Sequence, residues 1–261
     1  MNKSILKKVL IGASLTVPAV FAENPVTDVM QASADTMYTM FDVVTGVPDR
    51  VFDTEDDETG PSSLVAYTVK TRALIAAGDP EKGKLIAKES KCKKCHSDNG
   101  IAEDPEDPNL AGQMPSYTFK QLMDYKGEQR DERSMKKALK KLSENDFYHL
   151  AAWYGSMPGA PSMLKDTGVA GKLVYQGDPK RMLKPCGTCH GRNGEGGQHD
   201  SATLTGQSFD YFVATMEAFK EGDRGNDIYS RMRLIAEQLT EEEIVALAEY
   251  YAAEPPVEDE E

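Results

Sequence analysis

The sequence is short of positive charge, of long apolar runs, of alternating β patterns and of cysteine. Its 30 lysines and arginines face 43 aspartates and glutamates, so the formal net charge is −13. A polyanion such as nucleic acid would be repelled by that surplus. After the N-terminus no stretch supplies the ~20 consecutive apolar residues of a membrane span. Mean hydropathy is −0.52, and a polytopic membrane protein is excluded. Period-2 alternation is missing, so strands are not expected. Only four cysteines occur, as Cys92/Cys95 and Cys186/Cys189, and each pair is followed at once by a histidine, His96 or His190.

What is present begins with an address. Lys3, Lys7 and Lys8 precede a short apolar run from Val9 to Val20, and Val20-Phe21-Ala22 fits a cleavage site. The run is too short for a span and Pro18 interrupts it, so residues 1–22 read as a secretory signal cut after Ala22. The mature chain would then carry −16 and work in the oxidising periplasm. Membrane association is expected only through a partner or an uncleaved signal.

The rest repeats itself. Cys92-Lys93-Lys94-Cys95-His96 returns 94 positions later as Cys186-Gly187-Thr188-Cys189-His190. Gly83-Lys84-Leu85-Ile86 matches Gly171-Lys172-Leu173-Val174, and Leu110-Ala111-Gly112-Gln113 matches Leu204-Thr205-Gly206-Gln207. Tyr117 matches Tyr211, and Leu142-Ser143-Glu144 matches Leu239-Thr240-Glu241. A fixed period of this kind marks homologous units. We expect a signal peptide (1–22), an acidic helical extension (23–78), a first domain (79–160), a linker (161–167), a second domain (168–254) and an acidic tail (255–261). Tyr117, Gln121, Leu122 and Tyr125 follow a 3.6 period. Ser143 and Thr240 suit N-caps, with Asp146 and Glu243 three residues on as acidic capping boxes. Helices are expected over 144–155 and 241–252, and over 26–45 and 62–77 in the extension. The fold class is all-α: two tandem domains, each too small for a comfortable core unless it encloses a large apolar cofactor.

Cys-x-x-Cys-His is the attachment sequence for c-type haem. The thiols add across the two vinyl groups, and the next residue places an imidazole beneath the ring as proximal iron ligand. A redox dithiol would not need the histidines, and a zinc site built from both pairs would leave them unexplained. Inter-pair disulfides are the third alternative in an exported chain. Two copies with no cysteine left over favour two covalently bound haems. Candidate sixth ligands are Met114, Met123, Met135 and Met157 in the first domain and Met182, Met216 and Met232 in the second. Met135 and Met232 alone keep their place against the repeat, each seven residues before Leu142 or Leu239. The others read as core filler. His149 and His199 have no counterpart; His149 reads as a surface or packing residue and His199 as solvated.

On these marks the sequence resembles the di-haem class I cytochromes c, in particular the c4-like group, over about residues 79–254. The resemblance implies two c-type folds around two haems held by Cys92, Cys95, His96 and Met135 and by Cys186, Cys189, His190 and Met232. It implies an electron carrier between a redox protein donor and acceptor, with no catalytic residues and no nucleic-acid partner. It also implies that the Pro108 carbonyl faces the His96 ring, with Ala202 at the matching place for His190. Residues 23–78, with the block Asp53-Thr54-Glu55-Asp56-Asp57-Glu58, fall outside the resemblance. They read as solvated acid or as an interface. An interface would suit the alternative function, the electron-accepting haem subunit of a dehydrogenase complex. A haem enzyme with an open iron is the further alternative. Lys91, Lys93 and Lys94, with Lys136, Lys137, Lys140 and Lys141, make a locally basic region around the first motif. They form either an ordinary solvated face or a docking patch for an acidic partner.

Overall fold

The computed structural model describes residues 63, 65–162, 164 and 168–253, all within one unit, Glu58–Glu261. The expected signal, the helix over 26–45, the acidic block 53–58 and the tail 255–261 lie outside the described residues, as does most of the linker 161–167. The described residues form eleven α-helices and no strand, only three isolated bridges. The first lobe holds α1 (Val69–Ala76), α2 (Pro80–Glu89), α3 (Lys93–His96), α4 (Pro115–Lys126), α5 (Arg133–Leu139) and α6 (Glu144–Ser156). The second holds α7 (Val169–Tyr175), α8 (Gly187–His190), α9 (Phe209–Glu221), α10 (Arg231–Ala236) and α11 (Glu241–Tyr251).

Local chemistry explains where these helices start. Asp79 caps α2, accepting from Glu81 N at 3.0 Å, and Pro80 occupies the first turn, where its missing N–H does no harm. Ser143 with Asp146 and Thr240 with Glu243 both form complete capping boxes, as expected from sequence. The helix expected over 62–77 is shorter. It begins at Val69, because the Thr68 hydroxyl accepts from Thr71 N and ends the extended segment before it.

Each lobe has its own core. Phe119, Phe147, Leu150 and Ala151 centre the first, and Val174, Ile244, Leu247 and Tyr251 the second. Helix α2 crosses α6 so closely that a Cβ on Gly83 would lie 2.0 Å from the His149 carbonyl oxygen. Glycine is the residue that permits this approach. Residues 63 and 65–78 pack on the first lobe: Ile75 joins its core, Tyr67 donates to Ser116 O at 3.1 Å and Ser63 donates to Asp124 at 2.6 Å.

The lobes meet through their repeated Leu-x-Gly-Gln turns. Gly112 and Gly206 have φ of +70° and +72°, and their N–H groups donate to Tyr154 O (2.9 Å) and Tyr251 O (2.8 Å) at the ends of α6 and α11. Each turn is thereby tied to its own last helix and aims its glutamine at the other lobe.

Candidate haem centres

Both pentapeptides fold as a single helical turn. His96 N donates to Cys92 O at 3.1 Å, and His190 N to Cys186 O at 3.0 Å. That turn sets the two thiols of a pair three residues apart on one side, with the imidazole next in line. All four cysteines are free thiols. Burial pushes the Cys92 thiol up and takes Cys186 to about 11. Such thiols are poor thiolates, which argues against a redox dithiol.

The imidazoles are oriented from behind. His96 Nδ1 lies 3.1 Å from Pro108 O, the contact the resemblance implied, and His190 Nδ1 lies 2.8 Å from Ala202 O. A carbonyl can only accept, so Nδ1 carries the proton and Nε2 keeps its lone pair. Burial lowers both histidine pKa values, outweighing the carbonyl bonds that favour the charged form. Each ring is thus held neutral with one nitrogen ready for a metal.

A cavity of about 810 Å³ spans both lobes and is lined by His96 and Met135 on one side and His190 and Met232 on the other. Cys92 and Cys95 also line it; Cys186 and Cys189 do not. Of the four first-lobe methionine candidates, only Met135 reaches it. Met123 packs on the core, and Met157 lies against Gly100. In the second lobe Met216 lines it beside Met232, while Met182 is 86 % exposed. His149 lies away from it: its Nδ1 accepts from Asp79 N at 2.9 Å, at the start of α2. His199, expected to be simply solvated, is half-buried, its ring 5.0 Å from that of Tyr67.

A polar cluster between the lobes was not foreseen from the residue pattern. Arg130 Nη2 donates to Tyr211 OH at 3.0 Å, and Arg224 Nη2 donates to Tyr117 OH at 2.9 Å. The two arginines are 94 residues apart, and so are the two tyrosines, so each lobe's arginine takes the other lobe's tyrosine. The register of the repeat was the available signal. Buried Arg224 leaves Nη1 without a partner, and among the described residues no carboxylate pairs with either arginine. Burial alone would raise the Tyr211 phenol, but the Arg130 and Arg224 guanidiniums outweigh it and pull it below the ordinary phenol range. Both arginines line the cavity. A cavity with two uncompensated guanidiniums calls for buried anions, and the carboxylate arms of a porphyrin fit that need.

An all-α chain that repeats one haem-binding unit, with neutral imidazoles facing a shared cavity, is a di-haem c-type cytochrome. The cytochrome c family profile matches residues 80–158. Cytochrome c4 of Thiocapsa roseopersicina is 34% identical over 182 residues, covering 68% of this chain and 94% of that protein. The chain belongs to the cytochrome c4 family. The crystal structure of reduced recombinant cytochrome c4 from Pseudomonas stutzeri superposes with a TM-score of 0.62 at 30% identity, over 67% of this chain and 98% of the other. A protein named thiosulfate dehydrogenase electron acceptor, from Stutzerimonas stutzeri, is 32% identical over 62% of this chain and 77% of its own length. The protein is a periplasmic electron carrier with two covalently attached c-type haems, exchanging electrons with redox proteins. No helix among the described residues is long and apolar enough to cross a membrane.

Proposed function

We propose that His96 and Met135 hold one iron and His190 and Met232 the other, with the porphyrins attached through Cys92/Cys95 and Cys186/Cys189. The domains bearing them are 79–160 and 168–254, behind a signal removed after Ala22. The observation that supports this most is the cavity itself, which brings one histidine and one repeat-matched methionine from each lobe onto its wall. Bound there, haem iron supplies a one-electron ferrous/ferric couple, and methionine sulfur favours the reduced state. The chain orients the imidazoles through Pro108 and Ala202, surrounds the cavity with apolar residues, and presents Arg130 and Arg224 to anionic groups. With a histidine and a methionine holding each iron, substrate would have nowhere to bind.

Replacing Met135 or Met232 by alanine tests the assignment. Each variant should lose half of the far-red charge-transfer band of methionine-ligated ferric haem and, once reduced, should bind carbon monoxide at one iron. Retention of the full band in either variant would move the ligand elsewhere.

A second reading is carried by the relative named thiosulfate dehydrogenase electron acceptor. On that reading the carrier takes its electrons from a periplasmic dehydrogenase, in a complex or by encounter. An acidic donor or acceptor would dock on the basic face of the first lobe. There Lys91, Lys94, Lys137, Lys140 and Lys141 are exposed, while Lys93 and Lys136 are paired with Asp98 (3.1 Å) and Asp131 (3.0 Å). A basic partner would meet the acidic second lobe. Co-purification from the periplasm distinguishes a resident subunit from a free carrier.

A further inference from the structure

The two Leu-x-Gly-Gln turns do more than join the lobes. Gln207 of the second lobe accepts from Asn109 N–H through Oε1 at 2.8 Å and donates from Nε2 to Asn109 O at 3.1 Å. Gln113 of the first lobe repeats this on the second: its Oε1 accepts from Thr203 N–H at 2.7 Å and its Nε2 donates to Thr203 O at 3.0 Å. Each Oε1 also accepts from the next residue's N–H, Ser208 at 2.8 Å and Met114 at 2.9 Å, so the amide orientation is fixed. Gln113, Gln207 and Asn109 are all buried.

The N–H groups taken by these glutamines are not arbitrary. Asn109 N–H belongs to the same peptide unit as Pro108 O, which accepts from His96 Nδ1–H. Thr203 N–H shares its peptide with Ala202 O, which accepts from His190 Nδ1–H. An amide that donates through N–H becomes a better acceptor at its oxygen, because chained hydrogen bonds polarise one another. A better acceptor makes the imidazole more electron-rich, and a metal-bound imidazole then favours the oxidised ion.

We propose that Gln113 and Gln207 are crossed positioning residues. Each sets, through one peptide plane, the basicity of the proximal histidine in the opposite lobe. Gln207 tunes the haem held by His96, and Gln113 tunes the haem held by His190. Because the acceptor sits on the other lobe, both relays are intact only while the lobes are docked, and the potential of each centre depends on the lobe that does not hold it. The proposal rests on the ligand assignment above.

The test uses the holoprotein with Gln207→Leu, Gln113→Leu and the two Gln→Glu variants, which keep an oxygen where the N–H groups need one. Cooperative strengthening runs at about 10–30% per bond, so a modest effect is expected. The opposite-lobe ferrous/ferric ratio should rise about threefold in the leucine variants, about 28 mV at about 59 mV per tenfold for a one-electron couple. In the reduced protein the Nδ1–H proton resonance of His96 should move upfield in Gln207→Leu, and that of His190 in Gln113→Leu. The glutamate variants should keep both resonances downfield and raise neither potential. A leucine variant that shifts its own lobe's haem, both haems equally, or neither resonance overturns the relay. A resonance that moves while the opposite-lobe potential stays fixed shows instead that the histidine is not the iron ligand, and overturns the assignment beneath the proposal.

Discussion

Replacing Asp124 by asparagine tests what fastens the lobes. Lys120 and Asp124 are each 1% exposed and lie 2.7 Å apart on α4. Lys120 Nζ also donates to Asn226 O of the second lobe at 2.6 Å, and Asn226 Nδ2 donates back to Asp124 Oδ2 at 2.7 Å. Burial lowers the Lys120 pKa, and Asp124 opposes that shift. At an effective dielectric constant of about 20, attraction across such a gap is about 6 kcal/mol, most of it offsetting desolvation of the two ions. The asparagine variant leaves a buried ammonium without counter-charge, a change that costs about 3–5 kcal/mol. For a protein of this size each kcal/mol moves Tm by about 2–4 °C, so melting should fall by about 10 °C. Thermal and urea unfolding of the holoprotein, followed by far-ultraviolet dichroism, reads it. The double variant Lys120→Met, Asp124→Leu removes both charges and should recover most of the loss. An Asp124→Asn protein within about 1 kcal/mol of the parent would refute the reasoning. So would a double variant no more stable than the single one.

Gly83→Ala places a Cβ 2.0 Å from His149 O and 2.6 Å from Trp153 Cβ. Overpacking of about 3 kcal/mol, less about 1 kcal/mol of helix propensity, leaves it about 2 kcal/mol less stable in urea; equal or greater stability would contradict the close crossing. Arg181 hydrogen-bonds Glu243 and Asp178 and holds both carboxyls below their ordinary values. Folded pKa values below unfolded ones mean stabilisation that is present above the unfolded values of about 4.5 and 3.8 and is lost as pH falls through the folded ones. Arg181→Gln should therefore be less stable than the parent at pH 6 and converge with it as pH falls through the lowered carboxyl values; a constant gap in acid titrations of stability would refute this. Electron exchange with an acidic partner should slow as salt rises from low ionic strength to well above 0.1 M, where the screening length is about 10 Å. Stopped-flow rates flat across that range would remove the docking role of the first-lobe lysines.

Much of this was readable beforehand, for definite reasons. Covalent attachment needs a fixed short spacing, so Cys-x-x-Cys-His stands out against any background. Helix caps are local chemistry, and Ser143, Asp146, Thr240 and Glu243 fell where the boxes formed. Repetition singled out Met135 and Met232 without any knowledge of packing, and both line the cavity with the histidines. What stayed hidden depends on how the copies face each other. A repeat of 94 residues pairs Arg130 with Arg224 and Gln113 with Gln207 as equivalents, and says nothing of which lobe each one touches. His199 was misjudged for the same reason: its neighbour Tyr67 lies in a segment outside the repeat.

The crossed contacts make the interface a pseudo-two-fold, and its departures from symmetry matter most. Tyr117/Tyr211, Arg130/Arg224 and Gln113/Gln207 obey the 94-residue register, so each lobe receives the same two gifts from the other. Lys120 and Asp124 do not obey it, since the same register places Ala214 and Ala218 there. The first lobe therefore carries a buried Lys120–Asp124 pair that has no counterpart at these positions of the second, with Lys120 lining the cavity. Pro108 and Ala202 break the symmetry again at the carbonyl behind each histidine, where the contact is 3.1 Å in one lobe and 2.8 Å in the other. The shorter contact belongs to alanine, which lacks the proline ring. Two sites built from one repeated unit thus sit in different surroundings. The symmetric contacts join the lobes, and the unsymmetric ones make the two sites inequivalent.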